Sequence, residues 1–342
     1  MAVMDAEVLT GRKKDILTKV FVAFVALFAV FCIGVMNSKY DSLSRYPYKD
    51  RQSREKIKQY LTKEEIQYII EYSIPPNMFI AFIEEKGFSI YHAAEYKKLS
   101  EYAWQESPAA IVRMVEETRN DMTVDDLILF LGHYQYDELH SFLVNGDHYS
   151  PGTDLVANAG NTDCWLDQQH TVSVRKPGNL QVLDEAVPNG TDHDIFVAET
   201  IQEPLRELCG AAEKNFRSGQ GCGGLEVMEG YVSYEQQEER YLASDKTGNT
   251  VSFPGHDEHQ LGLAVDFGIS GISEEYEAKC EQNEWLRAHA GEFGFVMTYG
   301  GEDGRYEPMH WRYIGADLAA QLKEQGITFA AYGKAQYEKT PE

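Results

Sequence analysis

Val20 to Met36 is a run of 17 residues without a single charge, and it follows Arg12, Lys13, Lys14 and Lys19. So apolar a segment is stable only where water is excluded. At about 1.5 Å rise per residue, a helix of this length is at the short end of what spans a bilayer, and snorkelling of Lys19 extends its reach. No small-x-small cleavage site follows, Gly34-Val35-Met36-Asn37 being a poor match, so the run reads as an uncleaved anchor rather than a removed signal. The expected layout is a cytoplasmic tail over 1–15 and a transmembrane anchor over 16–37. By the positive-inside rule, everything after about Tyr40 is then outside, which makes this a single-pass cell-membrane protein with an extracellular body.

The body must be globular. With 43% hydrophobic and 25% charged residues the chain has an ordinary folded composition, and 342 residues are enough for two folded parts. A formal charge of -24, from 31 basic and 55 acidic residues, repels a phosphate backbone and excludes nucleic acid as a partner. Beyond Cys32 in the apolar run there are four cysteines, Cys164, Cys209, Cys222 and Cys280. Outside the cell these are expected to form one or two disulfides, with free buried thiols as the other reading and the pairing left open. None of them has the Cys-x-x-Cys spacing of a structural zinc site.

Residues 38–53 are polar and lack periodicity, as in a linker leaving the membrane. From 54 to 143 the pattern is helical. Leu61-Thr62-Lys63-Glu64-Glu65-Ile66 and Met122-Thr123-Val124-Asp125-Asp126-Leu127 each open with a capping box before an apolar stripe, which reads either as a weak internal repeat or as two unrelated helices. This small all-α module is rich in aromatic residues, and binding of wall polymer or protein is open to it. At Val144-Asn145-Gly146-Asp147 the composition turns to Gly, Pro, Asn and Asp, marking a second domain over 144–333 with a tail at 334–342. An amphipathic helix over Glu203 to Phe216, with Pro204 in its first turn, joins strands expected at Gly224–Met228, Leu263–Phe267 and around Phe295–Met297. The fold class is α+β.

Two segments of this domain carry chemistry. Pro254 to Asp266 crowds His256, His259 and the acids Asp257, Glu258 and Asp266 around glycine turns. Alone, His259 and Asp266 are weak evidence for a metal, because surface turns often hold both residue types. The second segment, Tyr306-Glu307-Pro308-Met309-His310, puts a carboxylate three residues before a histidine. A hydrolytic zinc site needs three protein ligands, an open position for water and a nearby carboxylate that is not a ligand. His259, Asp266 and His310 can supply the ligands and Glu307 the general base. Two imidazoles and a carboxylate do not by themselves distinguish zinc from manganese or iron.

These residues resemble the zinc D-alanyl-D-alanine carboxypeptidases of vancomycin-resistance (VanY) type. His259, Gly262, Ala264 and Asp266 match the family motif His-x-x-Gly-x-Ala-x-Asp, and Glu307, Pro308 and His310 match Glu-Pro-x-His. The resemblance covers roughly 143–333. It implies a zinc peptidase domain with a central antiparallel sheet that removes the terminal D-alanine from peptidoglycan stem peptides.

A further landmark, Gly-Tyr-Arg-Ser-Tyr, is matched by Gly230-Tyr231-Val232-Ser233-Tyr234, and Gln237 continues the likeness. Tyr231, Ser233, Gln237 and Asp257 are therefore the expected substrate-binding residues. Val232 replaces an arginine that the family uses on substrate oxygens, and Asp257 replaces a serine. An acid at this point disfavours a free carboxylate, which leaves two readings open. Either the enzyme is an endopeptidase or a carboxypeptidase of altered specificity, or Arg217, Arg240 or Arg305 substitutes for the missing arginine. A third reading, from another class, is a non-catalytic wall-binding protein; the retained Glu307 argues against it.

Other conspicuous residues have plainer readings. His256 is expected beside the ligand shell or at the surface, and Trp311 and Tyr313 in the packing under the site. His133, His140, His148, His170 and His193 lack ligand spacing. Cys164, between Asp163 and Trp165, is expected to tie down a loop through a disulfide.

Overall fold

The structure, a computed structural model, describes residues 2–38, 41–300 and 305–337, with side chains over 16–34 in the first of these. Residue 1, residues 39 and 40 of the expected linker and 338–342 of the expected tail lie outside the described residues.

Helix α1 (Ala2–Ser38) contains Ile16–Gly34, 19 residues of mean hydropathy 2.7, long and apolar enough to cross a membrane by length and composition. Beyond it come α2 (Arg51–Tyr60) and α3 (Lys63–Glu71). Asp50 caps α2 by accepting from Ser53 N at 2.7 Å. In α3 the capping box forms as the sequence indicates: Glu65 N donates to Thr62 Oγ1 at 3.2 Å, and Thr62 N donates to Glu65 Oε2 at 2.8 Å. With the helix ends satisfied, the apolar stripe is buried, and Ile57, Ile66 and Ile69 pack with Phe79 and Ile90. The segment read as a linker is part of this core. Leu43 and Tyr46 are fully buried, and the Tyr46 hydroxyl donates to Ile74 O at 2.6 Å, because two large side chains in a polar stretch suffice to dock it.

Helices α4 (Ala93–Tyr102) and α5 (Pro108–Thr118) follow, and by packing the chain divides within α5 into units 1–116 and 117–342. The second unit opens with α6 (Val124–Leu131), whose capping box joins Thr123 and Asp126, and α7 (Tyr136–Asn145). Two short ladders come next. Strands β1 (Asp154–Leu155) and β2 (His170–Thr171) pair in parallel, and β3 (Leu180–Val182) and β4 (Phe196–Ala198) pair antiparallel.

Helix α8 (Glu199–Phe216) starts four residues before the expected point. Pro204 is therefore past the first turn, and Thr200 C=O loses its helical donor. Strand β5 (Leu225–Glu229), helix α9 (Tyr234–Ala243), strand β6 (Ala264–Ile269), helices α10 (Glu274–Glu277) and α11 (Glu281–His289), and strands β7 (Phe295–Val296) and β8 (His310–Tyr313) then build the centre of the unit. Helices α12 (Ala316–Gln325) and α13 (Phe329–Tyr337) close the described chain and pack Leu322 and Phe329 around Trp165.

The central sheet is antiparallel throughout, in the order β5-β6-β8-β7. This is the α+β architecture expected, although β8 is a strand where the sequence suggests only a turn with aromatic neighbours. Its Arg312 is fully buried and donates to the carbonyls of Thr162, Cys164 and Tyr313, so a charged residue occupies a core position and hides the alternation. One disulfide, Cys209–Cys222, joins α8 to the turn before β5. Cys164 forms none: its thiol is buried, and burial pushes its pKa up to about 12, so the loop it sits in is held by packing and by Arg312.

Candidate metal centre

The register of the sheet brings two of the expected ligands together. Asp266 on β6 and His310 on β8 are direct cross-strand partners, 44 residues apart in sequence, with His310 Nδ1 at 2.9 Å from Asp266 Oδ1. His259 arrives from a single 3-10 turn, Glu258–Leu261, immediately before β6. Asp257 caps that turn by accepting from His259 N at 3.0 Å. Gly262 ends it at φ +69°, where an added Cβ would lie 2.8 Å from Leu180 Cδ2, so only glycine turns the chain here. The result puts His259 Nε2 at 3.3 Å from Asp266 Oδ1.

The far nitrogen of each imidazole is fixed by an acceptor. His259 Nδ1 donates to Gly230 O at 2.7 Å, and His310 Nε2 donates to Glu258 Oε2 at 3.0 Å. Gly230 can come this close only without a side chain, since its Cβ would meet Phe196 O at 2.4 Å. In the neutral state that a metal requires, each imidazole therefore turns its unprotonated nitrogen, Nε2 of His259 and Nδ1 of His310, towards Asp266. Donor atoms of the three residues lie within 4.8 Å of one another. In a tetrahedral site with bonds of about 2.1 Å, ligand atoms stand roughly 3.4 Å apart, so the observed separations fit one ion.

The electrostatics point the same way. Burial opposes protonation of both imidazoles, but the Asp266 carboxylate outweighs it and lifts His259 to about 9. Asp266 together with Glu258 lifts His310 to about 10. Asp266 itself, despite burial, is driven far below the usual carboxylate range by the two imidazoles. A donor cluster that draws positive charge this strongly suits a divalent cation.

Glu307 stands beside the cluster without joining it. Its Oε2 is 3.9 Å from His310 Nδ1, and its Oε1 accepts from Arg305 Nε at 2.6 Å. The four residues open on a cavity of about 950 Å³ that also exposes Gln237 and Asp257. Gln237 Nε2 donates to Ser252 O at 2.9 Å and lies 3.5 Å from Asp257 Oδ2. Burial would raise the Asp257 carboxyl, but the charges of His259 and Arg305 hold it below its ordinary value, so it is ionised.

Tyr231 and Ser233 do not line this cavity. Tyr231 and Val232 face a neighbouring one of about 530 Å³ that shares Met228, Glu229 and Arg240 with the first. Ser233 caps α9 by accepting from Gln236 N at 3.2 Å. Of the arginines considered as substitutes, Arg217 ends α8 in the left-handed conformation at the surface, while Arg240, held by Glu229, and Arg305, held by Glu307, both line the cavity. His256 is neither at the surface nor in contact with the donors. It is buried, its Nδ1 donates to Asp167 O at 2.5 Å, and its Nε2 lies 3.2 Å from Asp147 Oδ2.

Glu258 is the functional residue that sequence reasoning passed over. It is buried, accepts from His310 and from Thr298 Oγ1 at 2.6 Å, and has Arg312 Nε at 3.8 Å from its other oxygen. The available signal was a third acid next to His259, when only one carboxylate was needed as ligand and one as base.

An antiparallel sheet that brings two imidazoles and a carboxylate together, with the Arg305-paired Glu307 carboxylate beside them, has the donor set to hold a single metal ion. Residues 194–316 match the family model described as VanY: D-alanyl-D-alanine carboxypeptidase, and the chain is a peptidase with a domain of that family. Among its relatives is YodJ of Bacillus subtilis (strain 168), 28% identical over 200 residues, which are 53% of this chain and 70% of that protein. D-alanyl-D-alanine carboxypeptidases of Enterococcus faecalis (strain ATCC 700802 / V583) and Enterococcus faecium are 32% and 27% identical. The matches cover 46% and 45% of this chain and 61% and 50% of those proteins, so the chain spans only half to three-fifths of their length. Solved structures include an LdcB LD-carboxypeptidase (24% identity, 56% of this chain, 92% of that one, TM-score 0.48). A VanY D,D-pentapeptidase in complex with Zn(II) aligns at 24% identity over 50% of this chain and 98% of that one, with a TM-score of 0.39.

Proposed function

We propose that this chain is a membrane-anchored zinc D,D-carboxypeptidase that removes the terminal D-alanine from peptidoglycan stem peptides outside the cell. The observation that carries the reading is the convergence of His259 Nε2, Asp266 Oδ1 and His310 Nδ1, with the Glu307 carboxylate beside them, inside the segment that matches the VanY family. Zinc held by the three donors supplies Lewis acidity towards a water and the scissile carbonyl. Glu307 is the general base: its Oε2 takes the proton of the attacking water and returns it to the departing amine nitrogen. Gln237 and Asp257 border the bound peptide. Residues 16–37 anchor the enzyme, residues 1–15 stay inside, and binding of wall or protein is open to the helical part before the catalytic domain.

A second reading has support of its own. Val232 brings no donor to the site, and the cavity exposes Asp257 together with Glu229, Glu274, Glu275 and Glu277, a setting poor for a free carboxylate and tolerant of an amide. Under this reading the enzyme cuts inside peptides or crosslinks.

The test is mass spectrometry of stem pentapeptide, its C-terminal amide and crosslinked wall fragments, incubated with the full chain in detergent. Chelator and a Glu307→Ala variant serve as controls. Loss of one alanine from the free-acid peptide, abolished by chelator and by the variant, is expected. Cleavage of the amide or crosslinks alone would replace the first reading with the second, and the absence of any metal-dependent product would remove both.

A further inference from the structure

Glu307 sits on the loop that enters β8, is a third exposed and has a flexible side chain, yet a general base must keep one oxygen aimed at the reacting water. Its backbone is held, because Glu307 N donates to Tyr299 O at 3.0 Å. Its carboxylate is held by Arg305. Arg305 Nε donates to Oε1 at 2.6 Å, leaving Oε2 on the side of the donor cluster, 3.9 Å from His310 Nδ1.

Arg305 is in turn fixed from several directions. Nη1 donates to Ser252 Oγ at 2.5 Å, Nη2 is 3.8 Å from Asp257 Oδ2, and the guanidinium lies over the Tyr299 ring, 3.8 Å from its centroid. A planar guanidinium stacked on a ring and bonded at its edges has little rotational freedom, so it is a stiff support. Asp257 meanwhile caps the turn that carries His259. A continuous chain of contacts thus runs from the His259 turn through Asp257 and Arg305 to Glu307.

We propose that Arg305 is a positioning residue that holds the Glu307 carboxylate in register with the metal ligands, and that Asp257 is its anchor rather than a contact for the substrate terminus. This rests on Glu307 acting as the base. It also gives the acid at position 257 a role independent of the substrate's charge.

The experiment compares the zinc-loaded full chain in detergent with Arg305→Ala, Arg305→Lys, Glu307→Ala and the Arg305→Ala/Glu307→Ala double variant, with zinc content measured on each. Arg305→Ala is expected to lower kcat about 10- to 100-fold with KM and the acid-to-amide preference unchanged. Arg305→Lys should restore part of the loss, and the double variant should be no slower than Glu307→Ala alone. A rise in KM confined to free-acid peptides, or losses that multiply in the double variant, would overturn the proposal and make Arg305 a substrate ligand. Full activity of Glu307→Ala would instead remove the base assignment. A crystal structure of Arg305→Ala decides the geometry without turnover: Glu307 should swing away from His310, and an unmoved carboxylate sinks the idea.

Discussion

Glu258 Oε2 accepts from His310 Nε2 at 3.0 Å, and both side chains are buried. This contact fixes which nitrogen His310 turns towards Asp266, and it increases the basicity of that nitrogen. Thr298 Oγ1 holds the same Glu258 oxygen at 2.6 Å, so the carboxylate cannot turn away without losing both partners.

Glu258→Gln keeps the size of the side chain and an acceptor oxygen but removes the charge. Zinc affinity is expected to fall about 10- to 100-fold, the usual effect of losing such a partner, while the fold is retained. Competition with a chromophoric chelator measures it. An affinity within twofold of the parent would mean that His310 is oriented by the sheet alone. Glu258→Ala should be worse, because Arg312 then loses the carboxylate 3.8 Å from its Nε.

The Asp147–His256 pair makes a statement about pH. Burial alone would raise the Asp147 carboxyl, but His256 and the backbone N–H groups of Ser150 and Tyr149, each at 2.8 Å, hold it below its ordinary 3.8. A depressed folded pKa contributes stability that is present above the unfolded value and lost as pH falls through the folded one. Asp147→Asn should therefore lower Tm at pH 7, and the gap to the parent should narrow once the pH drops below about 4. Melting curves at pH 7, 5, 4 and 3 measure this. A gap as wide at pH 3 as at pH 7 would show that the carboxylate charge is not what the pair contributes.

The sequence foretold some of these features and concealed others for physical reasons. Strand β6 was visible because Leu263, Ala264, Val265 and Phe267 are apolar and follow the glycine turn at Gly262, and the α3 and α6 capping boxes are local, three residues from end to end. His259, Asp266 and His310 carry a spacing that can be recognised. Their meeting, however, depends on a strand register that links positions 44 residues apart, and local pattern does not encode that. Strand β8 was hidden by a buried Arg312, and Glu258 resembled any acid beside a histidine, since its partner is 52 residues away. His256 looked like a spare histidine because its acceptors, Asp167 O and Asp147, come from loops about a hundred residues earlier. Burial is what gives such residues fixed partners in place of water, and burial is a property of the whole fold.

The disulfide gives the most direct check on the packing of the second unit. Cys209 lies on the buried face of α8 and Cys222 on the turn entering β5, 13 residues apart in sequence and both buried. Cross-linking a loop of that size removes unfolded-state entropy worth about 3 kcal/mol in the chain-entropy account. For a unit of this size that corresponds to roughly 6–12 °C in Tm. A Cys209→Ala/Cys222→Ala variant should melt lower by about that much, yet bind zinc as the parent does, because the bridge touches neither the His259 turn nor the pairing of β6 with β8. Thiol titration in denaturant should find three free thiols, Cys32, Cys164 and Cys280, before reduction and two more after it. Five reactive thiols in unreduced protein from an oxidising compartment would show that α8 and β5 are joined by packing alone, and the variant would then be expected to melt with the parent.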